Sequence, residues 1–309
     1  MTPLATLVER AGFAPGTPVA MARVAGGAIE ELATGIWPNG RPVEPTDRFY
    51  VASLAKQVTG AALALLVRDG RIDPDRAVAD HVGGLPAWSV RITPRQLAHH
   101  ISGLPPAGAL EARMTGDWTE TLVFGALSEL AELPSPPGAA HSYSNLGYVL
   151  LARVIAEISG LPFAEFVTQR LLGPLGLDGI GFLADLGGQP QRPLLGPRLP
   201  LTHGDGGLWS TARSFAQWLQ HQNGDTLGIA DLVTVAGRRN DGTPVYYGWG
   251  LGLRQHRGQA LLIHGGEWPG AAAKAVRSPA LGIAVVGMAA GAEFQTLNRL
   301  VSAGLEDIA

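Results

Sequence analysis

The chain has 309 residues, 46% of them hydrophobic and 16% charged, with a formal net charge of −3. Such a composition builds a sizeable core and excludes a disordered chain, which needs low hydrophobicity and high net charge. The mildly acidic balance argues against a nucleic-acid partner, and the absence of cysteine removes disulfides, thiolate catalysis and cysteine-ligated zinc together. No run of about 18 apolar residues offers a membrane span. Residues 1–12 lack a basic start followed by an apolar stretch, so no signal peptide is read and a cytoplasmic location is expected.

In chain order, residues 2–12 predict a short helix. Two apolar runs, 18–24 and 28–37, flank Ala25-Gly26-Gly27 and predict a hairpin with glycine at its turn. Residues 53–68 predict a helix that is apolar all round, hence central and buried, closed by Gly70. From about 75 to 205 helical stretches dominate (93–100, 118–131, 145–159 and 162–172), with Pro/Gly loops between them. Residues 210–222 begin with Ser/Thr capping residues and carry Phe215, Trp218 and Leu219 at helical spacing. Four strands follow at 247–254, 260–264, 271–277 and 281–289, and a helix over 293–305 closes the chain.

Strands at both ends and helices between them predict an α+β fold. One antiparallel sheet is assembled from both ends of the chain, flanked by N- and C-terminal helices, with an all-α region inserted. The expected division is 1–75 plus 206–309 for the α/β part and 76–205 for the mainly helical insert, with an active site at their junction.

Three motifs carry chemistry. The first is Ser53-Leu54-Ala55-Lys56 at the start of the buried helix. A spacing of three puts both side chains on one helical face. A serine hydroxyl becomes a nucleophile when a base takes its proton, and a desolvated lysine can be that base. Of 23 basic residues only Lys56 and Lys274 are lysines; arginine stays charged and cannot play this part. The second motif is Tyr143-Ser144-Asn145. Tyr143 can relay a proton to a leaving group or be a packed aromatic; Asn145 can bind a substrate carbonyl, hold Lys56 or be a helix cap. The third is His264-Gly265-Gly266-Glu267 at the end of an apolar strand. It reads as a strand edge that lets a substrate approach the backbone, or as a turn.

These residues together resemble the serine β-lactamase and penicillin-binding-protein superfamily, in which S-x-x-K is a known motif. Y-x-N and H-x-G, in place of S-D-N and K-T-G, resemble the branch of class C β-lactamases, D-aminopeptidases, D-Ala-D-Ala carboxypeptidases and related esterases. Further blocks extend the resemblance over nearly the whole chain: His100-Ile101-Ser102-Gly103-Leu104-Pro105, Tyr143 to Tyr148, Pro174-Leu175-Gly176-Leu177 and Gly206 to Thr211. The resemblance implies the β-lactamase/transpeptidase-like fold and no cofactor or metal. It implies Ser53 as the acylated nucleophile, Lys56 and Tyr143 sharing base and acid roles, and Asn145 positioning substrate and Lys56. His264, Gly265 and Gly266 would line the substrate strand, and the N–H groups of Ser53 and Glu267 would form an oxyanion hole.

Two departures shape the expected substrate, a small-molecule ester or amide. His264 stands where β-lactamases carry a permanently charged lysine; a histidine titrating near 6.5 is mostly neutral at pH 7, which favours esters and other amides over β-lactams. Glu267 replaces a small residue, and its carboxylate either selects a cationic group or points to solvent. Trp209 and Trp268 either wall an acyl pocket or pack in the core. His99, His141 and His203 lie near the motif blocks without zinc-helix spacing. The leading expectation is a serine hydrolase. An acyltransferase on the same serine, a β-lactamase or D-amino-acid peptidase, and a non-catalytic binding protein are the alternatives.

Overall fold

The computed structural model of the protein describes residues 1–109 and 114–309. Its elements in chain order are helix α1 (Leu4–Ala11), strands β1 (Val19–Ala25), β2 (Ala28–Thr34) and β3 (Phe49–Tyr50), and helices α2 (Ala55–Arg68), α3 (Pro94–Ala98), α4 (Glu120–Glu129), α5 (Asn145–Ser159) and α6 (Phe163–Val167). Strands β4 (Ile180–Phe182) and β5 (Leu208–Ser210) precede helices α7 (Ala212–Asn223) and α8 (Ala230–Val233). Strands β6 (Gly237–Arg238), β7 (Pro244–Val245), β8 (Gly252–His256), β9 (Gln259–Trp268), β10 (Ala271–Ser278) and β11 (Ile283–Ala290) lead to helix α9 (Phe294–Glu306).

The main sheet has the order β2-β1-β11-β10-β9-β8, antiparallel at every pairing. It joins both chain ends, as the strand distribution predicts. Both faces of its central strands are covered, which is why β11 is a continuous apolar run and β10 is buried along nearly its whole length rather than alternating. On one face Leu4, Leu7, Met21, Leu297 and Leu300 pack together from α1, β1 and α9. On the other, Ala20, Ala22 and Val24 of β1 meet Phe215 and Trp218 of α7 and the apolar length of α2. Helix α2 is buried from Ala55 to Leu66, in keeping with its lack of a polar face.

Three differences from the sequence reading have physical causes. The segment 247–251, expected as strand, is a loop laid on α2. Gly250 has φ +84 there, and a Cβ on it would stand 2.0 Å from the Lys56 carbonyl oxygen. Residues 264–267 are not a turn but the continuation of β9 to Trp268. The mainly helical stretch 76–205 contributes a strand, β4, which pairs with β5 in a second sheet of order β3-β5-β4. Among the described residues no single helix is long and apolar enough to cross a membrane. The bent pair Asn145–Ser159 and Phe163–Leu172 has the composition, but α5 is buried along most of its length in the core.

Candidate active site

Ser53 lies on a 3-10 turn, Ala52–Leu54, just ahead of α2. The turn is entered through Ala52 at φ +46, a strained value for a residue with a side chain. The strain lifts Ser53 out of the line of β3 and presents it beside β9. A Cβ on Gly266 would lie 3.0 Å from the Ser53 nitrogen and 2.3 Å from the Val51 oxygen, so only glycine lets β9 approach the serine this closely. Strand β8 pairs with β9 no further than Ile263. From His264 onward that edge of β9 is not covered by β8.

Lys56, one turn beyond Ser53, is fully buried. Its Nζ lies 2.9 Å from each of three oxygens: Ser53 Oγ, Asn145 Oδ1 and the Asp205 carbonyl. Asn145 is the first residue of α5, and the cap position belongs to Ser144, whose side chain makes no capping bond. The Asn145 side chain is therefore turned to Lys56 rather than to the helix end. The Tyr143 ring sits 5.0 Å from Lys56 Nζ, and its centroid is 6.2 Å from that of His264. Ser53, Lys56, Tyr143, Asn145 and His264 thus share one cluster. Gly265 and Gly266 run beside it, and a side chain on Gly265 would strike the Phe294 ring at 2.6 Å on the opposite face. Glu267 follows on that opposite parity with its side chain exposed.

His264 is buried, and its imidazole is fixed at both nitrogens. Nδ1 is 2.6 Å from the Gly265 carbonyl, which can only accept, so Nδ1 carries the proton. Nε2 then accepts from the Tyr247 hydroxyl at 2.8 Å. Burial, aided by the Lys56 charge, pushes the His264 pKa down to about 3. Burial likewise pushes His99 down to about 4 and His100 well below its ordinary value. His99 donates from Nδ1 to the Tyr247 carbonyl at 2.9 Å and accepts from Trp249 Nε1 at 3.0 Å. His100, at φ +57, packs beneath Tyr143 with ring centroids 4.3 Å apart and accepts the Ser144 N–H on Nδ1. Lys56 is therefore surrounded by neutral rings.

The sequence reading missed Tyr247, His100 and Asp205 as parts of this cluster. Tyr247 lies in the segment read as strand. Asp205 stands outside the three motifs; its buried carboxyl, which burial raises above the usual range, accepts from Trp118 Nε1 and Thr202 Oγ1 and so anchors the carbonyl that meets Lys56. Trp209 packs in the core against Tyr50, and Trp268 donates to the Leu195 carbonyl. His203 pairs with Glu120. A cavity of about 470 Å³ opens beside Tyr247 and His141, with Arg239 and Arg254 on its wall.

Comparison with known proteins agrees with this architecture. The chain is 26% identical over 275 residues to penicillin-binding protein 4* of Bacillus subtilis (strain 168), a match covering 77% of this chain and 59% of that protein. It is 26% identical over 253 residues to a D-aminopeptidase of Cereibacter sphaeroides (strain KD131), covering 74% of this chain and 48% of that one. The chain thus spans about half the length of the curated relatives it matches. The crystal structure of a penicillin-binding protein from Bacillus halodurans superposes with a TM-score of 0.82 at 21% identity, over 100% of both chains, and shares the fold. The family model described as Beta-lactamase matches residues 11–301, nearly the whole length, and the chain belongs to that family.

Proposed function

We propose that this protein is a serine hydrolase that cleaves an ester or amide bond of a small molecule through an acyl-enzyme on Ser53. The observation that carries the reading is the 2.9 Å approach of Lys56 Nζ to Ser53 Oγ, with two further oxygens holding the same nitrogen. A neutral amine has two N–H bonds and one lone pair. Once Lys56 has given up a proton, Asn145 Oδ1 and the Asp205 carbonyl take its two N–H bonds and the lone pair faces the Ser53 hydroxyl. The ring of acceptors therefore aims the base.

In the first step Ser53 Oγ attacks the substrate carbonyl while its proton passes to Lys56. The Ser53 N–H and the Glu267 N–H on the uncovered edge of β9 stabilise the oxyanion. As the tetrahedral intermediate collapses, the leaving group takes a proton through the Tyr143 hydroxyl, and Ser53 remains acylated. Water then attacks the acyl-enzyme, releasing the acid and restoring Ser53. The neutral His264 supplies a polar wall without a fixed cation, which supports esters and uncharged amides over substrates drawn in by a carboxylate. A narrower reading, hydrolysis of D-configured aminoacyl amides or peptides, is favoured by the similarity to a D-aminopeptidase.

Intact-mass analysis after exposure to a fluorophosphonate tests the reading. One adduct is expected, located on Ser53 and absent from Ser53→Ala; no adduct, or one that persists in that variant, contradicts it. A panel of p-nitrophenyl esters with D- and L-aminoacyl p-nitroanilides separates the broad reading from the narrow one. A constant yield of acid in the presence of added amines and alcohols counts against acyl transfer.

A further inference from the structure

Two arginines are buried to 2% exposure, Arg23 and Arg277, and their surroundings differ. Arg23 is fully engaged. Its Nε meets Glu30 at 2.8 Å, Nη1 meets Asp307 at 2.8 Å and Nη2 meets the Thr2 carbonyl at 2.9 Å. Arg277, on β10, has no ion pair among the described residues. Among the described residues only its Nη1 is used, donating to the Gln222 carbonyl at 3.3 Å and Asn223 Oδ1 at 3.2 Å at the end of α7. Those bonds place a cation at a helix C-terminus, a favourable but small effect. They leave Nε and Nη2, the edge that pairs side-on with a carboxylate, without a partner. Asp225 acts on it only at a distance, without a direct ion pair, and its Oδ1 accepts the Ile229 and Ala230 amides. An uncompensated buried guanidinium is costly, because arginine does not escape by losing its proton.

The Arg277 head lines a cavity of about 720 Å³ at the β8 edge of the sheet, on the face covered by α7. Its walls are chiefly apolar, from Leu253, Leu262, Ala260, Ala230 and Ala236, and Tyr246 stands at the mouth with 65% of its surface exposed. Arg254 also lines it, and among the described residues no acidic one does. The size falls within the range of small-molecule sites, which join apolar walls to a few placed polar groups.

We propose that this cavity is a second binding site, distinct from the Ser53 cluster, for a small amphipathic carboxylate, with an acyl or arylalkyl chain between the apolar walls and the carboxylate on the Nε/Nη2 edge of Arg277. The proposal does not depend on the reaction at Ser53.

Calorimetric titration of the full chain carrying Ser53→Ala, with octanoate as ligand and octanamide as its uncharged counterpart, tests it. Saturable one-site binding of octanoate is expected, with octanamide at least about tenfold weaker because it lacks the charge-assisted pair. Ala260→Trp, at an exposed position of the hairpin, fills the cavity without touching Arg277 or Ser53; it is expected to abolish octanoate binding while leaving fluorophosphonate labelling of an intact Ser53 unchanged. Arg277→Gln should bring octanoate down to the affinity of octanamide. Equal affinity for the two ligands, undiminished octanoate binding in Ala260→Trp, or no binding of octanoate would each overturn the proposal.

Discussion

Tyr247 fixes two histidines at once. Its hydroxyl donates to His264 Nε2, and its backbone carbonyl accepts from His99 Nδ1. Burial holds the hydroxyl protonated, far above the ordinary tyrosine value. The imidazole facing the Ser53 cluster is thereby locked in one tautomer. Tyr247→Phe removes the donor and leaves a buried acceptor unsatisfied, at a cost of about 1–3 kcal/mol of stability. Denaturant midpoints should register that loss, and kcat/KM for an activated ester should fall by about tenfold as His264 loses its orientation. A variant with parental stability and turnover would show that His264 is held by its Nδ1 bond alone.

At the scale of elements, the sequence announced what periodicity and composition can encode. The limits of α5 fall at residues 145 and 159, where apolar spacing and the tyrosine-asparagine block placed them. The all-apolar face of α2 announced its burial. The motif spacing of Ser53 and Lys56 put them on one face because three residues is close to one helical turn. What stayed illegible is long-range. Nothing in the alternation of Tyr247, Gly248, Trp249 and Gly250 says that this loop lies over α2, since the need for glycine at 250 is set by the Lys56 carbonyl. The glycines at 265 and 266 read equally as a turn, because the contacts that exclude a Cβ come from Phe294 and from the Val51–Ser53 backbone, both distant in sequence. Asp205 gave no signal either: its partners Trp118 and Lys56 lie 87 and 149 residues away.

For the whole molecule, the site is built where segments from both chain ends and the middle converge, and it is dry enough to keep several histidines neutral. That dryness has a thermodynamic consequence. In the unfolded chain histidines take up protons near pH 6.5; in the folded protein His264 and His99 resist until about 3 and about 4, and His100 also stays well below its ordinary value. Between these limits the unfolded state binds more protons, so stability is complete above the unfolded value and is lost as pH falls below it. Each such histidine removes about 1.4 kcal/mol per pH unit in that window. Ordinary carboxylates titrate near 4, so urea midpoints from about pH 7.5 down to about 5.5 report chiefly the histidines, with the raised Asp205 carboxyl acting in the opposite sense. A steep fall below 6.5 is expected, made shallower by His99→Gln. A flat profile would mean that the rings gain protons without unfolding.

The account rests on Lys56 drawing the proton from Ser53, and the most direct measurement is the pre-steady-state acylation rate of Lys56→Met with an activated ester, read by stopped flow and intact mass. Methionine keeps the length and burial of the side chain and removes the amine. Acylation is expected to slow by a factor of about 10²–10⁴, the usual contribution of a positioned general base, while the thermal transition stays sharp. Acylation of Ser53 at the parental rate in that folded variant would contradict the account.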